Sequence, residues 1–302
     1  MRRKLVFVLS LSALLSCLLC VRLNPVGAEA SFGYLENCCL SYDGTDDYIS
    51  CGSPDIYVYR AEKITVEFWM KPKYTIESGS DALYGSTDGA VISYTESWCG
   101  SGGWALYFDF TNGKLIFRYK RDVFSPVSIG STRNVWDADA WYHVAVSFDA
   151  SPSVDSLVFY VNGTIDRVFN DVYNIGYENS YLKIGGYIAN EYMFGGLIDE
   201  IRFWNIYKTQ SEIQSVWNRI LNETESVQPE LIGYWRFDEG FGSTSQDHST
   251  ENNNATLALP PYNPTWVDLG APIIPEFPSF LILPLFMIAT LLAVIVYRRK
   301  QF

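Results

Sequence analysis

The chain has 302 residues and a formal net charge of −12, with 34 acidic against 22 basic side chains. That balance excludes a phosphate-tracking nucleic-acid binder, which needs a clustered positive surface, and two histidines with six cysteines leave little material for a zinc site. Aromatics at 16%, with 22 Gly and 13 Pro, favour short strands and turns over a helical bundle.

The N-terminus reads as a secretory signal. Arg2, Arg3 and Lys4 precede the apolar run Leu5–Leu19, and Ala28-Glu29-Ala30 is a small-residue cleavage site, so the mature chain is expected to start at Ser31. Strand signals then recur. Cys38–Tyr42 and Asp47–Cys51 flank the turn Asp43-Gly44-Thr45-Asp46 as an expected hairpin, with Leu40 and Ile49 facing one core. Ile64–Lys71 alternates, with Ile64, Val66, Phe68 and Met70 on one face. The stretch Tyr74–Gly103 reads as loop-rich. Trp104–Phe110 and Lys114–Lys120 flank Thr111-Asn112-Gly113, and Trp141–Asp149 follows. Ser156–Val161 and Thr164–Phe169 are joined by Asn162-Gly163, a two-residue hairpin signal. Tyr181–Gly185 and Gly195–Trp204 complete the set. Thr209 and Glu212 form a capping box for a short amphipathic helix carrying Ile213, Val216, Trp217 and Ile220. Asp247–Asn254 reads as loop. Many antiparallel strands with Gly-rich turns predict an all-β, two-sheet sandwich with one helix on it.

Phe280–Tyr297 is an 18-residue run without charge, followed by Arg298, Arg299 and Lys300. As a helix it spans about 27 Å, enough for a bilayer core, with the basic end kept inside. The expected order is signal peptide 1–30, ectodomain 31–270, Pro-rich linker 271–279, transmembrane helix 280–297 and cytoplasmic tail 298–302. Outside the two termini and Glu276, 15 basic and 32 acidic side chains remain, net −17. Such a surface repels anionic polymers and offers carboxylates to hard cations. Four exported cysteines suggest two disulfides. In the hairpin reading Cys38 lies opposite Cys51, which leaves Cys39 for Cys99.

Five stretches together resemble the LamG-like (concanavalin A-like) jelly roll. They are Leu40–Ile49, Ile64–Pro72, Trp141–Ala145, Phe159–Gly163 and Phe194–Asn205, in this order over about 170 residues. Gly233–Gly240 resembles the strand that opens such domains; here it is expected to close the sheet from the C-terminal side, with a truncated second repeat as the competing reading. Pro275-Glu276-Phe277-Pro278 before the apolar run and basic end resembles the PEF-CTERM signals of archaeal surface proteins, which implies processing by an archaeosortase. Asp43, Asp46 and Asp47 crowd one turn, a hard-oxygen set suited to Ca²⁺; the resemblance adds Asp199 and Asp238 as further ligands.

Glycan recognition is the main functional expectation, through loop rings on a rigid scaffold: Tyr84, Tyr94 and Trp98 in one loop-rich segment, Tyr187 and Tyr192 in another. Concanavalin-like glycosidases carry Glu-x-Asp-x-Glu on one strand, and here no Glu has an Asp two positions on. His143 reads as structural. Asn162, Asn222 and Asn254 open glycosylation sequons. The expected protein is therefore a surface-anchored, non-catalytic module that binds glycan or a surface protein. A structural envelope component and a glycan hydrolase or lyase remain open alternatives.

Overall fold

The computed structural model describes residues 37–51, 62–86, 88–95, 102–120, 125–176, 180–186 and 193–273. The expected signal peptide, membrane run and Pro-Glu-Phe motif lie outside the described residues, as do Trp98, Cys99, Tyr187 and Tyr192. Among the described residues no helix is long and apolar enough to cross a membrane. The chain separates into Met1–Asn37 and Cys38–Phe302, and every strand belongs to the second unit.

The first half runs β1 (Cys39–Asp43), β2 (Ile49–Cys51), β3 (Lys63–Pro72), α1 (Asp81–Tyr84), β4 (Asp88–Tyr94), β5 (Trp104–Asp109), β6 (Lys114–Tyr119) and β7 (Val127–Gly130). Then come β8 (Tyr142–Asp149), β9 (Ser156–Val161), β10 (Thr164–Asn170), β11 (Leu182–Ile184), β12 (Gly195–Trp204), α2 (Gln210–Val216) and α3 (Glu223–Ser226). The C-terminal part adds β13 (Leu231–Trp235), β14 (Thr244–Ser245), β15 (Ala255–Leu257) and β16 (Thr265–Val267). Two eight-stranded sheets result. One has the order β10-β9-β8-β3-β12-β1-β16, with β13 also on β12; the other runs β14-β15-β2-β11-β4-β5-β6-β7. Their strand pairs are antiparallel, so the fold is an all-β jelly-roll sandwich.

Alternation explains the core. Ile64, Val66, Phe68 and Met70 of β3 point inward, where Leu40, Phe117, Phe148, Ile198 and Trp235 meet them. The Asn162-Gly163 hairpin forms as expected, both residues at positive φ (50° and 71°), the twist that a two-residue turn requires. The capping box of α2 also forms, Thr209 accepting from the Glu212 N–H while the Glu212 carboxylate receives the Thr209 N–H. Ile213 and Val216 are its buried residues; Trp217 caps its end and Ile220 lies beyond it.

Two expectations are corrected. β1 and β2 are not a hairpin: β1 pairs with β12 and β16, β2 with β11 and β15, and the Asp43–Tyr48 link crosses between sheets. Leu40 and Ile49 do share the core, but from opposite walls. Cys38 therefore does not face Cys51, and the buried Cys51 is a free thiol, so the first expected disulfide does not form; the second involves Cys99, which lies outside the described residues. Second, the segment read as loop contains β4, whose Gly89–Tyr94 is buried between β11 and β5.

The C-terminal segment closes this same sandwich, with β13 on β12, β15 on β2 and β16 on β1. β1 and β13 share one edge of β12 in tandem. β1 covers Gly195–Ile198, β13 covers Ile201–Trp204, and the bulge between them holds Glu200 at φ 50°. On the outer face of this sheet Thr65, Glu67 and Trp69 are buried, because residues 205–230 lie over them as a strap. Sheet side chains satisfy the strap's carbonyls: Thr65 Oγ1 donates to Ile206 O (2.7 Å), Trp69 Nε1 to Trp217 O (3.0 Å) and Arg202 to Val216 O (2.8 Å) and Arg219 O. The last helical carbonyls of α2, orphaned in any helix, are thus capped by an indole and a cation. Beneath them Glu67 accepts from Trp204 Nε1 at 2.7 Å and stands 3.3 Å from His143 Nε2. Burial lowers the His143 pKa against the opposing pull of Glu67, which disfavours the charged imidazole in this closed position.

Candidate functional site

One end of the sandwich gathers four links: 44–48 between β1 and β2, 73–86 after β3, the segments flanking 187–192 after β11, and 258–264 before β16. Backbone bonds tie them together. Lys73 N–H donates to Gly195 O (2.9 Å), Tyr48 N–H to Tyr262 O (3.2 Å) and Ala258 N–H to Tyr48 O (3.1 Å). Gly44 packs on Gly195 so closely that a Cβ at Gly44 would stand 3.1 Å from the Gly195 Cα; Gly44 also sits at φ 83°.

The acidic turn stands here. Asp43, Asp46 and Asp47 each bring a carboxylate oxygen within 4.8 Å of the others, and oxygens sharing one Ca²⁺ at 2.3–2.6 Å lie no more than about 5 Å apart. The turn is preorganised: Asp43 Oδ1 accepts from Thr45 N–H (2.7 Å) and Asp47 Oδ2 from Asp43 N–H (2.7 Å). Burial pushes the Asp47 pKa up to about 6; the Asp43 N–H opposes this, and the Asp43 and Asp46 charges add to it. Lys73 Nζ donates to the Asp43 carbonyl at 2.9 Å, partly neutralising the cluster and taking one oxygen from any ion.

The other two expected ligands stand elsewhere. Asp199 is four residues, about 13 Å, along β12 from Gly195, and accepts from Glu200 N–H (2.9 Å) and Ala271 N–H (2.8 Å). Burial and the Glu200 charge raise its pKa well above the carboxylate range. Asp238 pairs with Arg236; burial brings its pKa to about 6. Both serve the β12–β13 junction, not the turn.

The expected ring set is split. Tyr84 belongs to this end: its hydroxyl donates to Tyr74 O (2.7 Å) and accepts from Tyr74 N–H, and its ring stacks on Phe110 at 4.0 Å. Tyr94 is core, 1% exposed, so it contacts no ligand. Gly186 and Met193, which flank Tyr187 and Tyr192, are at the acidic end, whereas Thr95 and Gly102, which flank Trp98, are at the other. The sequence reading missed Tyr48, under Lys183 Nζ at 4.6 Å, and the 40% exposed Tyr262; no local pattern marks either. Of the sequons, Asn162 is exposed but its Oδ1 holds His143 N–H, Asn222 caps α3, and Asn254 is exposed beside β15.

Residues 43–214, more than half of the chain, match the Laminin_G_3 family, concanavalin A-like lectin/glucanases superfamily. No curated protein sequence matches the chain. Among solved structures, a Bacteroides ovatus protein described as carbohydrate binding aligns at 18% identity and TM-score 0.58 over 80% of this chain; the chain spans 62% of that protein. Domain 4 of AbnA, a GH43 extracellular arabinanase from Geobacillus stearothermophilus, aligns at 16% identity and TM-score 0.44, over 59% of this chain and 75% of that one. The CBM40 of a Ruminococcus gnavus IT-sialidase aligns at 14% and 0.41, over 52% and 84%. With the acidic turn, β2 to β12 and the start of α2 inside the matched span, the chain belongs to the concanavalin A-like lectin/glucanases superfamily.

Proposed function

We propose that the chain is a non-catalytic carbohydrate-binding module displayed at a cell surface, with calcium stabilising its ligand end. The observation that carries this reading is the convergence of carboxylates, amphipathic rings and two lysines at one end of a rigid lectin-like sandwich. Sugars are held by ring faces and by a few well-placed polar groups, and loops on a fixed scaffold are the usual place for both. The fold shared with the B. ovatus protein supports the reading. The buried carboxylates argue against hydrolysis: Glu67 and Glu200 are engaged by Trp204, Arg202 and Tyr234 beneath the strap, closed to a polymer.

The chain's exit suits display. β16 runs away from the acidic turn, and Ala271 binds Asp199 beside Cys39, so the C-terminal segment leaves β12 about midway along its edge, clear of the acidic turn. Residues 274–279 reach at most about 20 Å, which would hold the ligand end outward from a membrane helix at Phe280–Tyr297, or from another anchor if an archaeosortase cuts near Pro275-Glu276-Phe277. The test is the full-length chain in neutral-lipid nanodiscs on a glycan array, with calcium and with EDTA. Binding to neutral glycans is expected; no binding in either condition overturns the proposal, and release of reducing sugar returns the hydrolase.

Asp43, Asp46 and Asp47 would hold the ion. A carboxyl whose folded pKa is raised stabilises the fold below pH 3.8 and loses that contribution as pH rises through about 6. At pH 7.5 the ionised Asp47 is thus a cost that calcium relieves. Asp47→Asn keeps an acceptor for the Asp43 N–H, so it is expected to gain about 1–2 kcal/mol at pH 7.5 without calcium and nothing below about pH 4. Calcium should raise the wild-type melting temperature and leave the variant's unchanged. An equal calcium increment in both removes Asp47 from the site.

A further inference from the structure

The seam where the C-terminal segment closes the sandwich carries an apolar strip that the core does not use. Phe241 is 80% exposed, Leu259 81% and Tyr262 40%. Backbone contacts bring them together. Leu257 N–H donates to Ser243 O at 2.9 Å, at the end of the β14–β15 ladder, and Phe241 and Leu259 each stand two residues beyond that rung. Tyr262 N–H donates to Leu259 O (3.0 Å) across Pro260 and Pro261, and Trp266 Nε1 donates to Gly242 O (2.9 Å). Trp266 is half-buried, braced against the core and the buried Phe237. Gly242 itself faces open space. The strip adjoins the candidate end through the Tyr48–Tyr262 and Ala258–Tyr48 bonds.

We infer that Phe241, Leu259, Tyr262 and Trp266 form the ring-stacking platform for a short neutral oligosaccharide; this rests on the carbohydrate-binding reading and adds to it the surface and the ligand class. Size separates a sugar from a protein. Whole aromatic side chains bury roughly 150–250 Å², so the strip exposes on the order of 400 Å², about half of the ~800 Å² per partner that a stable protein interface takes. Apolar patches of this size on a monomer are often functional. Charge separates the glycans. The ectodomain's 32 acidic against 15 basic side chains repel sulfated and sialylated chains, and a second copy as well. Ring faces suit a neutral sugar, whose C–H face is apolar while its rim reaches polar groups.

The full-length chain in nanodiscs is probed with an array of neutral hexose and pentose oligosaccharides, sialylated and sulfated ones serving as contrast. Three proteins are compared: wild type, the double variant Phe241→Ser with Tyr262→Ala, and Ile165→Ser on the distant β10. Phe241→Ser alone serves if the double variant melts early, because that side chain packs on almost nothing. Expected is neutral-glycan binding by wild type and Ile165→Ser, weakened at least tenfold in the seam variants. Unchanged binding by the seam variants overturns this inference and leaves the carbohydrate reading standing. No binding by wild type overturns both. A preference for anionic glycans, or a wild-type dimer that Phe241→Ser dissociates, overturns the ligand class or the occupant.

Discussion

Replacing Arg202 by methionine is expected to cost about 3–5 kcal/mol, the range for breaking a buried ion pair from one side. The guanidinium is 1% exposed and does three things at once. It pairs with Glu200 at 2.9 Å, it donates to the Val216 carbonyl, and it donates to the Arg219 carbonyl. Its loss leaves a buried carboxylate with the Tyr234 hydroxyl and the more distant Arg236 guanidinium (3.8 Å) as its remaining partners, and two strap carbonyls without their donor. Domains are stable by about 5–15 kcal/mol in total, and at ~2–4 °C per kcal/mol the melting temperature should fall by about 10 °C. Hydrogen exchange should rise first in residues 205–230, ahead of Gly195–Ile198. Adding Glu200→Gln should recover part of the loss, because the buried charge that Arg236 alone compensates only weakly goes with it. A loss under 1 kcal/mol, or exchange that rises uniformly, would show that the guanidinium does not pin the strap.

That arrangement also marks where sequence reading stops. Features set by neighbours in the chain are legible: the alternation of Ile64–Lys71, the Asn162-Gly163 turn, the Thr209–Glu212 box and the Asp43–Asp47 cluster each rest on residues a few positions apart. Alternation also assigns Thr65, Glu67 and Trp69 to the solvent face. They are buried because a strap from 140 positions away lies on them, and period-two patterns carry no information about what covers a face. The Asp-Gly turn after β1 is legible as a turn, but a turn does not say that the next strand pairs with the last; here it crosses to the other sheet. Tyr94 reads as a loop ring because Gly and Ser surround it, whereas its strand is set by pairing with β11 and β5. The site divides the same way: its carboxylates are local, while Tyr48, Lys183 and Tyr262 meet only in the fold.

Asp247→Ala is expected to cost about 3–5 kcal/mol, although it removes one short side chain from a segment that reads as loop. The carboxylate is buried and receives four donors: Tyr234 N–H (2.9 Å), Ser249 N–H (2.9 Å), Ser249 Oγ (2.8 Å) and Asn253 N–H (2.8 Å). Each buried donor left unpaired costs about 1–3 kcal/mol, less where water can replace the partner, and the outer part of the loop admits water. The bonds tie β13 to the loop that delivers β15, and β15 in turn covers β2, with Ala255 opposite Cys51. Closure of the sandwich therefore hangs on this carboxylate, which gives a second readout. Cys51 is a buried free thiol, with its pKa pushed well up by burial and then by the Asp247 charge. Loosening β15 should make it react with a maleimide far faster under native conditions. Ser249→Ala, which removes one donor and leaves the carboxylate in place, should cost only about 1 kcal/mol and leave Cys51 protected. If both substitutions cost the same, or if Cys51 stays protected in Asp247→Ala, the C-terminal segment is held by its strand pairing alone.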